Sequence, residues 1–358
     1  MDKYAVIMAG GGGTRFWPIS RQHKPKQLLN ISGNDVMINE TIKRLLPLID
    51  IRNIYIVTNE KQGEIIGNLI MKDFPKENIL YEPVGRNTSA CIAYAAFTIR
   101  KKSEDAVMCI LPSDHYISDE NRFIKLMDSA FRSAKTTDKL ITIGIKPSFP
   151  STGYGYIRYN KEMDKTADFM YPVEEFVEKP NITLAKSYLE DGNYLWNSGM
   201  FIWRASIILD NINRYMPRLY KSFNNIYEHI GTKSEKEMLG KIYPSLQSIS
   251  IDYGILERSD DVMVIPGEFG WNDVGSWDSL GFIFPTDENG NIVKAKHIGL
   301  DTKNSIIYSS GKLIATIGLE NLIIADAGDA ILICPKEKAQ DVKALVEKLK
   351  SCDMGDYI

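Results

Sequence analysis

Between Tyr4 and Ile145, apolar runs alternate with amphipathic stretches, and this alternation leaves the chain few architectures to choose from. Tyr4–Ala9, Asn53–Thr58, Ile79–Tyr81, Ala106–Leu111 and Leu140–Ile145 are short and apolar enough to read as buried strands. Between them, Val36–Leu48, a stretch running through Met71, Asn87–Phe97 and Arg122–Lys135 read as helices, the third with Asn87 as its N-cap. Strands that alternate with helices pair side by side in parallel. The expectation is an α/β fold of Rossmann-like type, a mostly parallel sheet flanked by helices. In such sheets ligands bind beyond the carboxyl ends of the strands. That singles out the loops Gly10–Arg15, Glu82–Asn87 and Pro112–His115.

Beyond residue 151 the texture changes twice. Residues 151 to about 285 mix strands with helices and hold most of the tryptophans. From Asn291 onward short β-rich runs recur: Ile306–Tyr308, Leu313–Ala315, Leu322–Ile324 and Ala330–Ile333. They read as a small C-terminal β module, either a meander or a few coils of a β-helix. Ala339, Val342, Leu345, Val346 and Leu349 then take helical spacing and end it with one amphipathic helix. Single cores stop growing at roughly 250–300 residues, so 358 residues with 44% hydrophobic content suit two domains. The expected division is 1–285 and 286–358, closely packed because no low-complexity linker separates them.

The formal net charge of −3 disfavours a protein that lives on nucleic-acid backbones, although a small phosphate pocket needs only a few local cations. Cys91, Cys109, Cys334 and Cys352 lie far apart without a C-x-x-C pair, which suggests neither a disulfide framework nor a zinc site. No apolar stretch approaches the roughly 20 residues of a membrane span, and the six-residue apolar run near the start is too short for a signal-peptide core. A soluble, cytoplasmic protein without a membrane partner is expected.

The strongest local signal is Gly10-Gly11-Gly12-Gly13-Thr14-Arg15, directly after the first strand. Glycines there let backbone N–H groups approach a polyphosphate unobstructed. A dinucleotide fingerprint begun at Gly11 needs glycine where Phe16 stands, and a P-loop begun at Gly10 needs Gly-Lys where Arg15 and Phe16 stand. Instead Arg15 and, past Pro18, Pro25-Lys26-Gln27 supply two cations from one connection. Asp114 ends a buried strand, which favours a metal role over capping the helix that starts near Asn121. Phe176-Val177 is strand-like and ends in Glu178-Lys179, an acidic and a basic side chain set at a strand end.

Seven segments in order resemble the sugar-1-phosphate nucleotidylyltransferases, in particular their guanylyl-transferring members: Gly10–Arg21 with Pro25–Gln27, Glu82–Thr88, Leu111–His115, Gly153–Ile157, Phe176–Pro180, Trp196–Phe201 and Trp271–Trp277. Arg258 after Glu257, where lysine is expected, departs from the pattern and keeps the charge. The resemblance spans nearly the whole chain and implies the nucleotide-diphospho-sugar transferase fold. It also implies transfer of GMP from GTP to mannose 1-phosphate, giving GDP-mannose and pyrophosphate with Mg²⁺. Larger relatives carry a further isomerase domain; no phosphomannose isomerase activity is expected here.

The attacking group is a phosphate already ionised near neutral pH, so positioning and charge neutralisation should dominate, with no general base. His115 is accordingly read as structural. Arg15, Lys26, Asp114 and Asp273 form the expected catalytic set, with Asp114 and, by resemblance, Asp273 as metal ligands. Gly10, Gly11, Gly13, Thr14, Arg15, Glu82, Gly85, Arg86, Asn87, Thr88 and Ser113 are expected on the nucleotide. Gly153, Tyr154, Gly155, Glu178, Lys179 and, by resemblance, Asn197 are expected on the sugar phosphate, with Tyr154 in a closing loop. Trp196 and Trp203 read as core. Two rivals stay open: a uridylyl- or thymidylyltransferase acting on glucose 1-phosphate, and a catalytically silent nucleotide-sugar-binding subunit. A homodimer is also left open.

Overall fold

The computed structural model describes residues 2–161 and 170–358. They form two compact units. The first comprises Met1–Gly10, Ile42–Ser113 and Asp119–Phe269, the second Gly11–Thr41, Asp114–Ser118 and Gly270–Ile358.

In the first unit the early alternation appears as β1 (Lys3–Met8), β2 (Ile54–Asn59), β3 (Ile79–Glu82) and β4 (Val107–Pro112), all parallel, in the order β3-β2-β1-β4. Their near-continuous apolar runs suit a sheet covered on both faces, and Ala5, Val6 and Ile7 are fully buried. Parallel pairing makes β1, β3 and β4 end at one edge of the sheet. Ser113 N–H donates to Met8 O at 3.1 Å there. The two-residue β5 (Tyr116–Ile117) belongs to the second unit. Beyond β4 the sheet continues with β6 (Leu140–Ile145), β7 (Tyr156–Tyr159), β8 (Tyr171–Val177), β9 (Tyr194–Arg204) and β10 (Val262–Gly267), in the order β4-β9-β6-β10-β8-β7. β9 enters antiparallel between β4 and β6 and also pairs with β7.

The helices follow: α1 (Met37–Leu45), α2 (Glu60–Leu69), α3 (Asn87–Lys102), α4 (Glu120–Thr136), α5 (Ile182–Asp191), α6 (Ala205–Tyr215), α7 (Pro217–Tyr227) and α8 (Glu235–Ile242). In α3 the small residues Ala90, Ala93, Ala95 and Ala96 are fully buried, so the helix is covered nearly all round rather than amphipathic. Its start corrects one expectation. Arg86 holds the cap position, and its side chain makes no capping bond. Asn87 sits inside the first turn at φ 62°, its Oδ1 accepting from Thr88 N–H. An N-cap would have bonded an amide further along. Asp119 caps α4 by accepting from Arg122 N–H, which leaves Asp114 free of that role.

In the second unit β11 (Trp271–Asn272) pairs antiparallel with β5. The C-terminal module holds β12 (Ile292–Leu300), β13 (Ile306–Ile317), β14 (Leu322–Asp326) and β15 (Ile331–Pro335), closed by α9 (Val342–Ser351). β12, β13 and β14 are successive parallel strands joined by tight turns, the arrangement of a coiled solenoid, and only β15 returns as a hairpin. Asp301, Asn304 and Asn321 occupy left-handed conformations in those turns, where short polar side chains tolerate positive φ. Two expectations shift. Ile306–Tyr308 and Leu313–Ala315 lie on one irregular strand, because the pairing jumps from Lys294–Tyr308 to Lys296–Leu313. β12 itself is a strand that the pattern of runs did not reveal.

Candidate active site

Within the second unit, a cavity of about 290 Å³ is lined by Gly13, Thr14, Arg15, Lys26, Asp114, His115, Asp273, Gly275 and Lys343. The glycine loop builds one wall. Gly13 has φ +58°, and a Cβ there would lie 2.2 Å from the Lys26 Cβ, so the approach requires glycine. Lys26 is 4% exposed, and its ammonium has three acceptors: Asp273 O at 2.6 Å, Val274 O at 2.8 Å and Asp114 Oδ2 at 2.8 Å. Three donors meet three oxygens, so the lysine is held rigidly. Val274 takes φ 48°, a conformation that disfavours a β-branched residue.

The rest of the lining includes residues that flank the β5–β11 ribbon. Pairing Tyr116 with Asn272 and Ile117 with Trp271 brings the residues just outside the ribbon, Asp114, His115 and Asp273, to one cavity. Trp271 Nε1–H donates to His115 Nδ1 at 3.0 Å, across the ribbon. Burial pushes the Asp114 carboxyl up, but Lys26 and then His115 outweigh it, and the group stays below the ordinary carboxylate range. Asp273 Oδ1 accepts from Gly275 N–H at 3.1 Å. Among the described residues, the buried Nε of Arg15 has no hydrogen-bond partner. Lys343, from α9, adds a third cation. Nothing in the sequence marked it out among the lysines of that helix.

Among the described residues, no group of three or more His, Cys, Asp or Glu side chains is placed to hold a metal. Two carboxylates on one cavity nevertheless suit Mg²⁺, which keeps waters and shares its coordination with substrate phosphates.

The remaining candidates lie in the first unit, with Gly11 and Thr14 in the second. Glu82 ends β3, is 6% exposed and accepts from the Tyr243 hydroxyl; burial raises its carboxyl against that bond. A Cβ on Gly10 would lie 3.8 Å from Glu82 Oε2. Around Gly11 and Gly85 no atom of the described residues stands within 4 Å of such a Cβ. Arg86 donates to Pro244 O and its buried Nε has no partner among the described residues, while Thr88 Oγ1 accepts from Ile251 N–H at 2.8 Å. The segment around 244–251 thus fastens the Glu82–Thr88 loop. Ser113 is 3% exposed at the end of β4.

On the sugar side, Gly155, Glu178 and Asn197 meet. A Cβ on Gly155 would lie 2.6 Å from Glu178 Oε2 and 3.4 Å from Asn197 Cβ. Lys179, at φ 46° and largely exposed, pairs with Glu178. Gly153 N–H donates to Ser151 Oγ at 3.2 Å. Tyr154 packs edge-on against Trp196, 4.9 Å between ring centroids. Trp196 and Trp203 are both buried. Asp252 is new to this group: its Oδ1 accepts from Asn197 Nδ2 at 2.8 Å. Burial and then the Glu178 charge push its carboxyl up to about 6.

Residues 4–290 match the nucleotidyl transferase family, and residues 295–349 match the mannose-phosphate isomerase/GMP-like β-helix domain. The chain is 39% identical to the mannose-1-phosphate guanylyltransferase of Salmonella typhimurium, covering 100% of this chain and 74% of that protein. It is 36% identical to the Escherichia coli K12 mannose-1-phosphate guanylyltransferase, covering 97% and 73%. A Thermus thermophilus crystal structure, described as a mannose-1-phosphate geranyltransferase, superposes with a TM-score of 0.88 at 30% identity, covering 98% of this chain and 100% of that one. The chain therefore belongs to the nucleotidyl transferase family, among the mannose-1-phosphate guanylyltransferases.

Proposed function

We propose that this chain transfers GMP from GTP to mannose 1-phosphate, releasing pyrophosphate and forming GDP-mannose. The observation that carries the reading is the cavity where Arg15, Lys26 and Lys343 face Asp114 and Asp273. A phosphate oxygen of mannose 1-phosphate attacks the α-phosphorus in line, and the bond to the β-phosphate breaks with its electron pair leaving on pyrophosphate. No proton has to move, which fits a site whose histidine is engaged by Trp271. Lys26, its three donors taken by protein oxygens, acts on the α-phosphate and the attacking phosphate as a fixed positive charge. Arg15 serves the transferring and leaving phosphates, with Lys343 beside it, through the electrostatic stabilisation that dominates phosphoryl chemistry. Asp114 and Asp273 would hold Mg²⁺, which supplies charge neutralisation and orientation of the phosphates.

Gly10, Gly11, Gly13 and Thr14 cradle the triphosphate, and Glu82, Gly85, Arg86, Asn87, Thr88 and Ser113 hold the nucleoside. Gly153, Tyr154, Gly155, Glu178, Lys179 and Asn197 take the mannose phosphate. Residues 1–285 carry most of the nucleotidyl-transfer machinery and 286–358 form a small β-rich domain that adds Lys343, a division supported by the two family matches. None of the described helices is long and apolar enough to cross a membrane, and the substrates are those of a cytoplasmic enzyme.

The test is pyrophosphate release across GTP, ATP, UTP and dTTP, each with mannose 1-phosphate and glucose 1-phosphate. GTP with mannose 1-phosphate should be the best pair. Faster release with UTP or dTTP and glucose 1-phosphate would assign the rival transferase, and no release with any pair would leave a nucleotide-sugar binder. Asp114→Asn should keep the fold and cut kcat by about a hundredfold or more; near-native turnover at saturating Mg²⁺ would remove Asp114 from the mechanism.

A further inference from the structure

Asp252 lies 55 residues along the chain from Asn197 and opens a five-residue π-helical turn, Asp252–Leu256. Such turns are rare and recur at functional sites. The turn is closely packed: a Cβ on Gly254 would lie 2.6 Å from the Met216 sulfur. Its first residue reaches the one amide side chain of the sugar group.

That amide is clamped at both ends. Asn197 Oδ1 accepts from Gly199 N–H at 3.0 Å, and one Nδ2 hydrogen goes to Asp252 Oδ1 at 2.8 Å. The Asn197 backbone N–H donates to Gly155 O at 2.8 Å, which ties the same residue to the glycine that faces Glu178. Turning the amide over would set its oxygen against a carboxylate and its NH₂ against a backbone N–H. Asp252 and the Gly199 N–H together fix which end of Asn197 is donor, and among the described residues one amide hydrogen and one oxygen lone pair of Asn197 stay uncommitted.

We propose that Asp252 is a positioning residue for sugar recognition, holding the Asn197 amide in the one orientation that reads the mannose C2 hydroxyl together with Glu178. This rests on the reading above, in which Asn197 and Glu178 contact the sugar. A site built to hydrogen-bond a hydroxyl discriminates through the alignment of its polar groups, so an amide free to invert loses selectivity before it loses binding.

Asp252→Asn keeps the shape and removes the charge that forbids inversion. Its kcat/KM for mannose 1-phosphate should fall about tenfold to a hundredfold, the range expected for a hydrogen bond to a charged group. The loss should be carried by the mannose 1-phosphate KM, with the GTP KM unchanged, and the mannose-to-glucose ratio should narrow. Asp252→Glu should recover part of that ratio. A second measurement uses the unaltered enzyme. Glu178, Lys179 and Glu257 surround Asp252 electrostatically, and its carboxyl titrates at about 6. The mannose-to-glucose ratio of kcat/KM should therefore decline as pH drops below 6; taking the ratio cancels the titration that the two sugar phosphates share.

An unchanged ratio in Asp252→Asn, alongside an altered one in Asn197→Ala, overturns the role of Asp252 and leaves the sugar reading standing. A pH-independent ratio in the unaltered enzyme overturns it also. If Asn197→Ala and Glu178→Gln both keep the ratio, the sugar reading falls and the role of Asp252 falls with it.

Discussion

At Gly13 two demands coincide: a left-handed backbone and a 2.2 Å approach of any Cβ to the Lys26 side chain. Gly13→Ala must either strain the backbone, at about 1–3 kcal/mol, or push Lys26 away from its three oxygens. A lower thermal midpoint together with a fall in kcat is expected, and a variant normal in both would show that the loop does not position Lys26. Gly11 offers the contrast, since no atom of the described residues lies within 4 Å of its would-be Cβ. Gly11→Ala should fold normally and change only nucleotide kinetics. Asp252 shows the opposite balance between stability and function. Its folded carboxyl titrates at about 6 against an ordinary 3.8. Above pH 6 the folded state carries a charge that the unfolded chain carries more easily, which costs stability. The cost is relieved as pH falls through 6 and is gone below about 4. Asp252→Asn should therefore be more stable than the parent at pH 8, by about 1–3 kcal/mol, and lose that advantage toward pH 4. Stability gained with sugar selectivity lost is the usual mark of a functional carboxylate. A variant no more stable at pH 8 than at pH 4 would mean that the charge is well solvated in place.

At the scale of elements, the two-residue β5–β11 ribbon carries weight out of proportion to its length. It sets Asp114 and Asp273 on one cavity and is bridged by the bond from Trp271 to His115. Trp271→Phe keeps the ring and deletes the donor. It should cost about 1 kcal/mol of stability and leave the shape of the pH–rate profile unchanged. A lost limb in that profile would instead place His115 in the chemistry. The ribbon also marks where sequence reasoning stops. β1 to β4 were legible because each is a continuous apolar run with a helix between, and the loops at their ends follow from parallel pairing. The β5–β11 pairing was not legible, because two residues carry no period and their partners lie about 155 positions away. β12 was hidden because its half-buried positions include the small Ala295 and the polar His297 while Ile298 and Leu300 are exposed, which leaves little apolar contrast in its alternation. Asp252 was hidden for another reason: its role exists only through Asn197, and its neighbours in the chain repeat no pattern. Motif residues such as Arg15, Lys26 and Asp114 were visible because their chemistry is local to the loops that bear them.

At the scale of the molecule, the glycine loop and the C-terminal module share one apolar core. Phe16, Trp17 and Trp277 pack in a cluster with Ile292, Ile306, Ile323, Val342, Val346 and Ile358. Trp17 Nε1–H donates to Tyr357 O at 2.6 Å, Trp277 Nε1–H donates to Trp17 O at 2.9 Å, and Arg21 pairs with Asp329 at 2.8 Å. The residues that flank Arg15 in sequence are therefore buried by residues near the end of the chain, and α9 also supplies Lys343 to the cavity. A chain cut after residue 285 would leave Phe16 and Trp17 without most of that cover. Exposing two large aromatics and several partners forfeits roughly 1.5–3 kcal/mol for each side chain once buried, more than a loop of glycines can withstand. The shortened chain should be poorly soluble or lack turnover, even though most of the proposed catalytic residues remain in it. Lys343→Ala in the full chain separates the two contributions: the fold should persist while the GTP KM rises. Soluble residues 1–285 with full turnover would show that the module neither shapes the glycine loop nor serves the phosphates.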